Sequence, residues 1–375
     1  MFRKPQWYDD WKKDNPTNVL GLASVCLMIG GAVFASVIGL AILWGPYETN
    51  SMQTGPRGTG MSVPEFVADL KTPDPDIELL VENEPWIPEP GEELAKDVYQ
   101  NVQVLGELTD GNFNRLMAAM TEWVAPEQGC AYCHGEGDLE TYGEDTLYTK
   151  VVSRRMIQMT QNINENWDAH VNANKEVGVT CFTCHRGQNV PSDIWFKAMP
   201  VNSAAMGWSA VQNRVTPLSS FTSLPSDALE AYLLDYETIA VHDLESRVAG
   251  IPGQDGYPGI QHAERTYAFM NYIANSLGVN CVFCHNSRAF YDGSQVTPQW
   301  GTESLGISMV QELNEEYLVP LEGEYPPERL GPVHGDAPKA ACKTCHKGYQ
   351  QPLQGANVIA DWPELATSEA PDYGE

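Results

Sequence analysis

The sequence predicts a mainly α-helical protein with much irregular structure. It reads as a domain of repeated helix–loop–motif units behind one N-terminal transmembrane helix. Three observations predict this. Cys-x-x-Cys-His occurs four times: Cys130-Ala-Tyr-Cys133-His134, Cys181-Phe-Thr-Cys184-His185, Cys281-Val-Phe-Cys284-His285 and Cys342-Lys-Thr-Cys345-His346. An amphipathic helical pattern precedes three of the four. A run without a charge, from Val19 to Trp44, lies near the N-terminus, and 26 prolines and 32 glycines punctuate the chain.

The elements follow in order. Segment 1–18 is the N-terminal flank, with Arg3, Lys4, Lys12 and Lys13. The run 19–44 is long enough to cross a bilayer, which takes about 20 apolar residues. It is longer than the h-region of a signal peptide, about 7–15 residues, and no Ala-x-Ala site follows, so the helix is expected to be retained. Beyond it only Arg57 is basic nearby, so the N-terminus is expected in the cytoplasm and the bulk in the periplasm. Cys26 lies inside the run behind Ala23-Ser24-Val25, a poor lipidation signal, and reads as a small apolar residue. Segment 45–95, rich in proline and glycine, reads as an extended strap. The rest, 96–375, reads as one domain, with a loose acidic tail from Ala366.

Cys-x-x-Cys-His is the attachment pattern of c-type haem. Its two thiols form thioethers to the haem vinyl groups, and the adjacent His supplies the proximal nitrogen. The four copies use eight of the 9 cysteines and four of the 8 histidines. Zinc sites also use Cys-x-x-Cys pairs, but do not require a His after every second Cys. The expected domain is therefore a multihaem cytochrome c domain of repeated helix–loop–Cys-x-x-Cys-His units with four covalently bound c-type haems. No cysteine pair is left for a structural disulfide, and attachment of this kind occurs outside the bacterial cytoplasm.

The motifs group as two haem pairs, about 96–190 and 261–365, joined by a connector with little regular structure. Before the first motif, Phe113, Leu116, Met117, Met120 and Val124 share a helical face, with Asp110 as N-cap. Before the second, Val152, Met156, Met159 and Ile163 do the same. Before the third come Tyr267, Met270 and Ile273, with Gly278 at the helix end. Met or His is the usual sixth ligand of an electron-transfer haem. Met117, Met270 and either Met156 or Met159 are the candidates for the first three haems. Met309 lies far before Cys342. His170, at the end of the second helix, is the candidate that reaches across to the fourth haem. His242 and His334 read as surface residues, and His262 as a helix N-terminal residue.

The chain has 22 basic and 50 acidic residues, a formal charge of -28. Such a surface argues against nucleic acid and suits a small basic protein partner.

The soluble part, from about Gln53 to Pro363, resembles the tetrahaem cytochrome c subunit of purple-bacterial photosynthetic reaction centres. The strings that carry the resemblance are Gln53-Thr-Gly-Pro-Arg-Gly-Thr-Gly-Met61, VYQNVQVLGELT, Gly178-Val-Thr-Cys-Phe-Thr-Cys-His-Arg-Gly187 and Ser276-Leu-Gly-Val-Asn-Cys-Val-Phe-Cys-His-Asn286. The resemblance implies three Met/His haems and one bis-His haem. Met117 would pair with His134, Met156 rather than Met159 with His185, Met270 with His285, and His170 with His346. It implies a linear wire in the order 130, 181, 342, 281. The last haem would lie nearest the bacteriochlorophyll special pair of the core subunits. A soluble donor, either a small c-type cytochrome or a high-potential iron–sulfur protein, would feed the outer haem. Many members are lipoproteins, whereas this chain reads as anchored in the inner, photosynthetic membrane through its N-terminal helix. The expected function is electron transfer without substrate chemistry. A multihaem reductase would need a five-coordinate iron. A quinol-oxidising tetrahaem protein would tend to bis-His ligation and a shorter chain.

Overall fold

The computed structural model describes residues 4–15, 22–43, 49–53, 62–66, 74–80, 83–137, 139–197, 214–219, 221–241 and 260–374. The chain divides into two units.

The first unit, Met1–Ser51 with Pro64–Thr72, holds two helices. Helix α1 is Gln6–Asp14, a helix the sequence reading did not foresee. Helix α2 is Leu22–Leu43. It is apolar on every side, with Leu27 76 % and Phe34 67 % exposed. Side chains of α2 are described only over 25–40, and among the described residues no helix is long and apolar enough to cross a membrane. Strand β1 (Thr49–Gln53) pairs with β2 (Ser62–Phe66). The strap is thus not wholly irregular. Most of the string from Gln53 to Met61 lies outside the described residues.

The second unit contains every Cys-x-x-Cys-His motif. Its helices are α3 (Ala95–Val98), α4 (Asp110–Val124), α5 (Ala131–His134), α6 (Tyr148–Asn166), α7 (Asp168–Val171) and α8 (Cys181–His185). After a small β3–β4 ladder (Arg214–Val215, Ser223–Leu224) come α9 (Ala228–Leu233), α10 (Ile260–Leu277), α11 (Pro298–Glu312) and α12 (Cys342–His346). The four residues or so of each motif therefore begin a short helical turn, except the third, a 3-10 turn over Cys281–Phe283.

Two apolar clusters hold this unit. Leu108, Leu116, Trp123, Ile157, Phe182, Trp362 and Leu365 gather around α4, α6 and α8. Leu229, Tyr232, Leu233, Phe269, Tyr272, Ile273 and Val310 gather around α9, α10 and α11. Each fully buried large side chain contributes about 1.5–3 kcal/mol relative to exposure.

The structure corrects four expectations. Thr109, not Asp110, is the N-cap of α4, while Asp110 opens the first turn and accepts from Asn114 Nδ2 at 3.0 Å. The deepest burial on the long helices only partly follows the methionine faces, sharing Leu116 and Ile273 with them. Helix α4 buries Asn112, Arg115, Leu116, Ala119 and Trp123. Helix α10 buries Ala268, Phe269, Tyr272, Ile273, Ser276 and Leu277, and leaves Tyr267 55 % exposed. The connector is not featureless, because α9 buries Ala228, Tyr232 and Leu233 fully. A helix of six residues is too short to show periodicity in sequence. Finally, the tail is tied down. Ser368 Oγ donates to Glu165 at 3.0 Å. Just before it, buried Glu364 takes an ion pair from Arg115 at 2.5 Å. Removing one partner of such a pair strands a buried charge, at about 3–5 kcal/mol.

Gly278 behaves as expected. Its φ is +65°, directly after α10, the left-handed C′ geometry that favours glycine.

Candidate functional site

The second and fourth motifs sit in the same cradle. In each, a Thr at the second variable position accepts the amide of the residue before the motif: Thr180 N–H to Thr183 Oγ1 at 3.1 Å, and Ala341 N–H to Thr344 Oγ1 at 3.0 Å. One residue further back, an Asn side chain brackets the backbone. Asn164 accepts from Val179 N–H at 2.7 Å and donates to Val179 O at 2.8 Å. Asn314 accepts from Ala340 N–H at 2.9 Å and donates to Ala340 O at 3.0 Å. After each motif the chain turns left-handed at Arg186 (φ 51°) and Lys347 (φ 55°), followed by Gly187 and Gly348. Those glycine amides donate to Trp123 O in α4 and Ser276 O in α10, both at 2.9 Å. The helix preceding the first motif thus packs on the second, and the helix preceding the third packs on the fourth.

The two motif histidines are oriented alike. Nδ1 of His185 lies 2.8 Å from Gln188 O, and Nδ1 of His346 lies 3.1 Å from Tyr349 O. A carbonyl can only accept, so Nδ1 carries the proton and Nε2 is left for a metal.

The first and third motifs are held differently. His134 Nδ1 donates to Tyr142 O at 3.2 Å, and its ring stacks on Tyr142 at 4.6 Å. Lys150 Nζ also reaches Tyr142 O and, at 3.3 Å, Asp145. The third motif is fixed through Thr297, which donates to Phe283 O at 2.7 Å and to Cys284 O at 3.1 Å. His285 Nδ1 is buried and has no hydrogen-bond partner among the described residues.

His170 is where the sequence reading placed its importance. It lies on α7, donates from Nδ1 to Thr302 O in α11 at 2.8 Å, and faces His346 with ring centres 6.3 Å apart. Two imidazoles sharing one metal ion, each nitrogen about 2 Å from it and about 1.1 Å from its own ring centre, have centres about 6 Å apart. Burial pushes His134, His170, His185 and His285 below the ordinary imidazole range. His346 is pushed down to about 4, by burial first and by His170 second. All are neutral at pH 7, the form that binds a metal.

Met117, Met120, Met156, Met159, Met270 and Met309 are all half-buried. Cys130 and Cys281 are exposed, Cys133 and Cys284 half-buried, Cys181 and Cys342 buried. Burial pushes the Cys181 and Cys284 thiols up to about 12. The structure also joins two motif cysteines, Cys184 and Cys345, in a disulfide where no structural disulfide was expected. The cause is packing. Helices α8 and α12 abut, and the two Cα atoms lie 4.6 Å apart, within disulfide reach. His262 Nε2 meets Thr238 O at 2.5 Å near the start of α10, and His334 is exposed. His242 lies outside the described residues.

Sequence reasoning missed Asn164, Asn314, Thr297 and Tyr142. Only the shared Thr of Cys-Phe-Thr-Cys and Cys-Lys-Thr-Cys signalled the common cradle. The donor set, with paired thiols, neutral imidazoles fixed through Nδ1 and half-buried thioethers, fits c-type haem.

Comparison with known proteins gives the same answer. Residues 45–366 match the family model "Photosynthetic reaction centre cytochrome C subunit". The photosynthetic reaction center cytochrome c subunit of Roseobacter denitrificans is 67% identical over 98% of this chain and 99% of its own length. That of Rubrivivax gelatinosus is 40% identical over 86% of this chain and 84% of its own. The chain therefore belongs to the family of photosynthetic reaction centre cytochrome c subunits, electron-transfer proteins that carry c-type haem and are not enzymes.

Proposed function

We propose that all four motifs carry c-type haem and that the haems form a wire from a soluble donor to the photo-oxidised special pair of the core. The observation that carries this reading is His170 facing His346 at 6.3 Å, each with Nδ1 tied to a carbonyl. A ligand from the first half of the domain thereby meets a motif in the second. The remaining pairs are His134 with Met117, His185 with Met156, and His285 with Met270. In support, the methionines are half-buried, on faces that the deepest burial of their helices only partly follows.

Bound haem supplies one-electron chemistry. The chain's own residues set where it happens. Cys130, Cys133, Cys181, Cys184, Cys281, Cys284, Cys342 and Cys345 fix the positions, and the axial Met and His set the potentials. Thioether attachment needs the same sulfurs that form the Cys184–Cys345 disulfide. In the haem-bearing chain that bond is open. The wire order 130, 181, 342, 281 is taken from the family resemblance, and the abutting of α8 with α12 agrees with 181 and 342 as neighbours.

As a reaction-centre subunit the chain is membrane-associated and partners the core subunits. We extend this to a single crossing by the run Val19–Trp44, in contact with lipid, with the haem domain periplasmic. The charge of -28 favours a donor that is basic where it docks. A flash experiment on the purified complex tests the reading. Haem oxidation should follow special-pair oxidation; a special pair that recovers with no haem oxidised would refute it.

A further inference from the structure

Helix α11 contains two glycines, Gly301 and Gly306, although each costs about 1 kcal/mol relative to Ala in a helix interior. Their surroundings differ. Nothing lies within 4 Å of where a methyl group on Gly301 would sit. A methyl group on buried Gly306 would lie 2.5 Å from Cε1 of His170, 3.0 Å from its Nδ1 and 3.1 Å from its Nε2. Carbon atoms do not approach to 2.5 Å, so the ring or the helix would have to move.

The same turn of α11 also holds the ring, at the nitrogen next to Cε1. Thr302 O, one helical turn before Gly306, accepts from His170 Nδ1 at 2.8 Å. Residues at i and i+4 share a helix face. Thr302 O and the bare Cα of Gly306 therefore form one notch. It grips the imidazole by a hydrogen bond and leaves Nε2 directed away from that bond.

We infer that Gly306 is a positioning residue for the haem held by Cys342 and Cys345: its missing side chain lets the His170 ring lie on α11 at the height that ligation opposite His346 needs. This rests on the reading that His170 is that ligand. A metal–ligand bond tolerates little displacement, so a side chain at 306 withdraws the ring from the iron.

The test compares Gly306→Ala, Gly301→Ala and His170→Met in the purified complex, by ferric spin state and by redox titration of each haem. In Gly306→Ala the haem at Cys342 and Cys345 should change from low-spin to high-spin while the other haem signals stay put. Gly301→Ala should match wild type. Should Gly306→Ala fail to assemble, His170→Ala and His170→Ala/Gly306→Ala are compared. With the ring gone the methyl group should be tolerated, so the double variant should assemble as well as His170→Ala. A wild-type spectrum for Gly306→Ala alongside a shifted midpoint in His170→Met would overturn the role of Gly306 and leave the ligand standing. An unshifted midpoint in His170→Met would overturn the ligand itself. A double variant that assembles worse than His170→Ala would place the clash elsewhere and also overturn the role of Gly306.

Discussion

The second and fourth motifs share a cradle of one Asn and one Thr side chain; the first and third do not. Asn164 with Thr183 and Asn314 with Thr344 make the same bonds at the same places. The first motif instead leans on an ionic patch of Lys150, Asp145 and Arg154. The third leans on Thr297 and leaves His285 Nδ1 without an acceptor among the described residues. The difference teaches that Cys-x-x-Cys-His fixes a short helical turn, while the packing behind it decides how firmly its His is aimed.

The largest effect should come from breaking the shared cradle. Asn314 is fully buried. Asn314→Ala leaves the N–H of Ala340 unpaired, at about 1–3 kcal/mol, while its C=O keeps the hydrogen bond from Trp195 Nε1 at 2.9 Å. Asn164→Ala frees both backbone groups of Val179 and also Leu365 O, but at a half-buried site where water can replace the amide, so its cost is predicted to be smaller. Thermal denaturation of the complex should rank them in that order, and equal effects would mean the two cradles are not loaded as the geometry implies.

The next effect sharpens the link between halves. His170→Met should raise the midpoint of the haem at Cys342 and Cys345 on the order of 100 mV, since Met favours the ferrous state. The haem at Cys181 should be nearly unchanged. A disturbance of that haem instead would move His170 to the second motif.

A smaller effect separates Met156 from Met159. Loss of the axial thioether should lower the midpoint of the haem at Cys181 by tens of millivolts. Met156→Ala is predicted to do so and Met159→Ala is not. Met117→Ala should likewise lower the haem at Cys130 and leave it attached. If Met120→Ala acts in its place, the ligand is one turn on.

The smallest effect is acid sensitivity of the first motif. Asp145 is held well below the ordinary carboxylate range, chiefly by its hydrogen bond from Arg154. A depressed carboxylate contributes stability above its unfolded value of about 4, and loses it as pH falls through the folded value. Asp145 is about a third exposed, so solvent screening keeps this below about 1 kcal/mol. Proton NMR of the haem environments should show the first motif loosening as the pH falls, and an unchanged first motif in acid would contradict this.

Much of this was legible beforehand. The motifs and the helices before three of them follow from residue type and spacing, because haem attachment and helical periodicity are local rules. What was not legible depends on distant contacts. Asn164 and Asn314 look like ordinary polar helix residues until Val179 and Ala340 are folded onto them. Helix α9 is too short for periodicity, yet Tyr232 and Leu233 are fully buried. The anchoring of the tail needs Arg115 to meet Glu364 across nearly the whole domain. The approach of Cys184 to Cys345 likewise brings together residues 161 apart.

That pairing offers the most direct test of the account. If every motif carries haem, Cys184 and Cys345 are thioethers and their disulfide does not exist in the working protein. Intact mass of the mature holoprotein decides it. The account predicts the polypeptide plus four haem groups, with reduction and alkylation adding to Cys26 alone. A chain carrying only two haems, with Cys184 and Cys345 still joined, would contradict it.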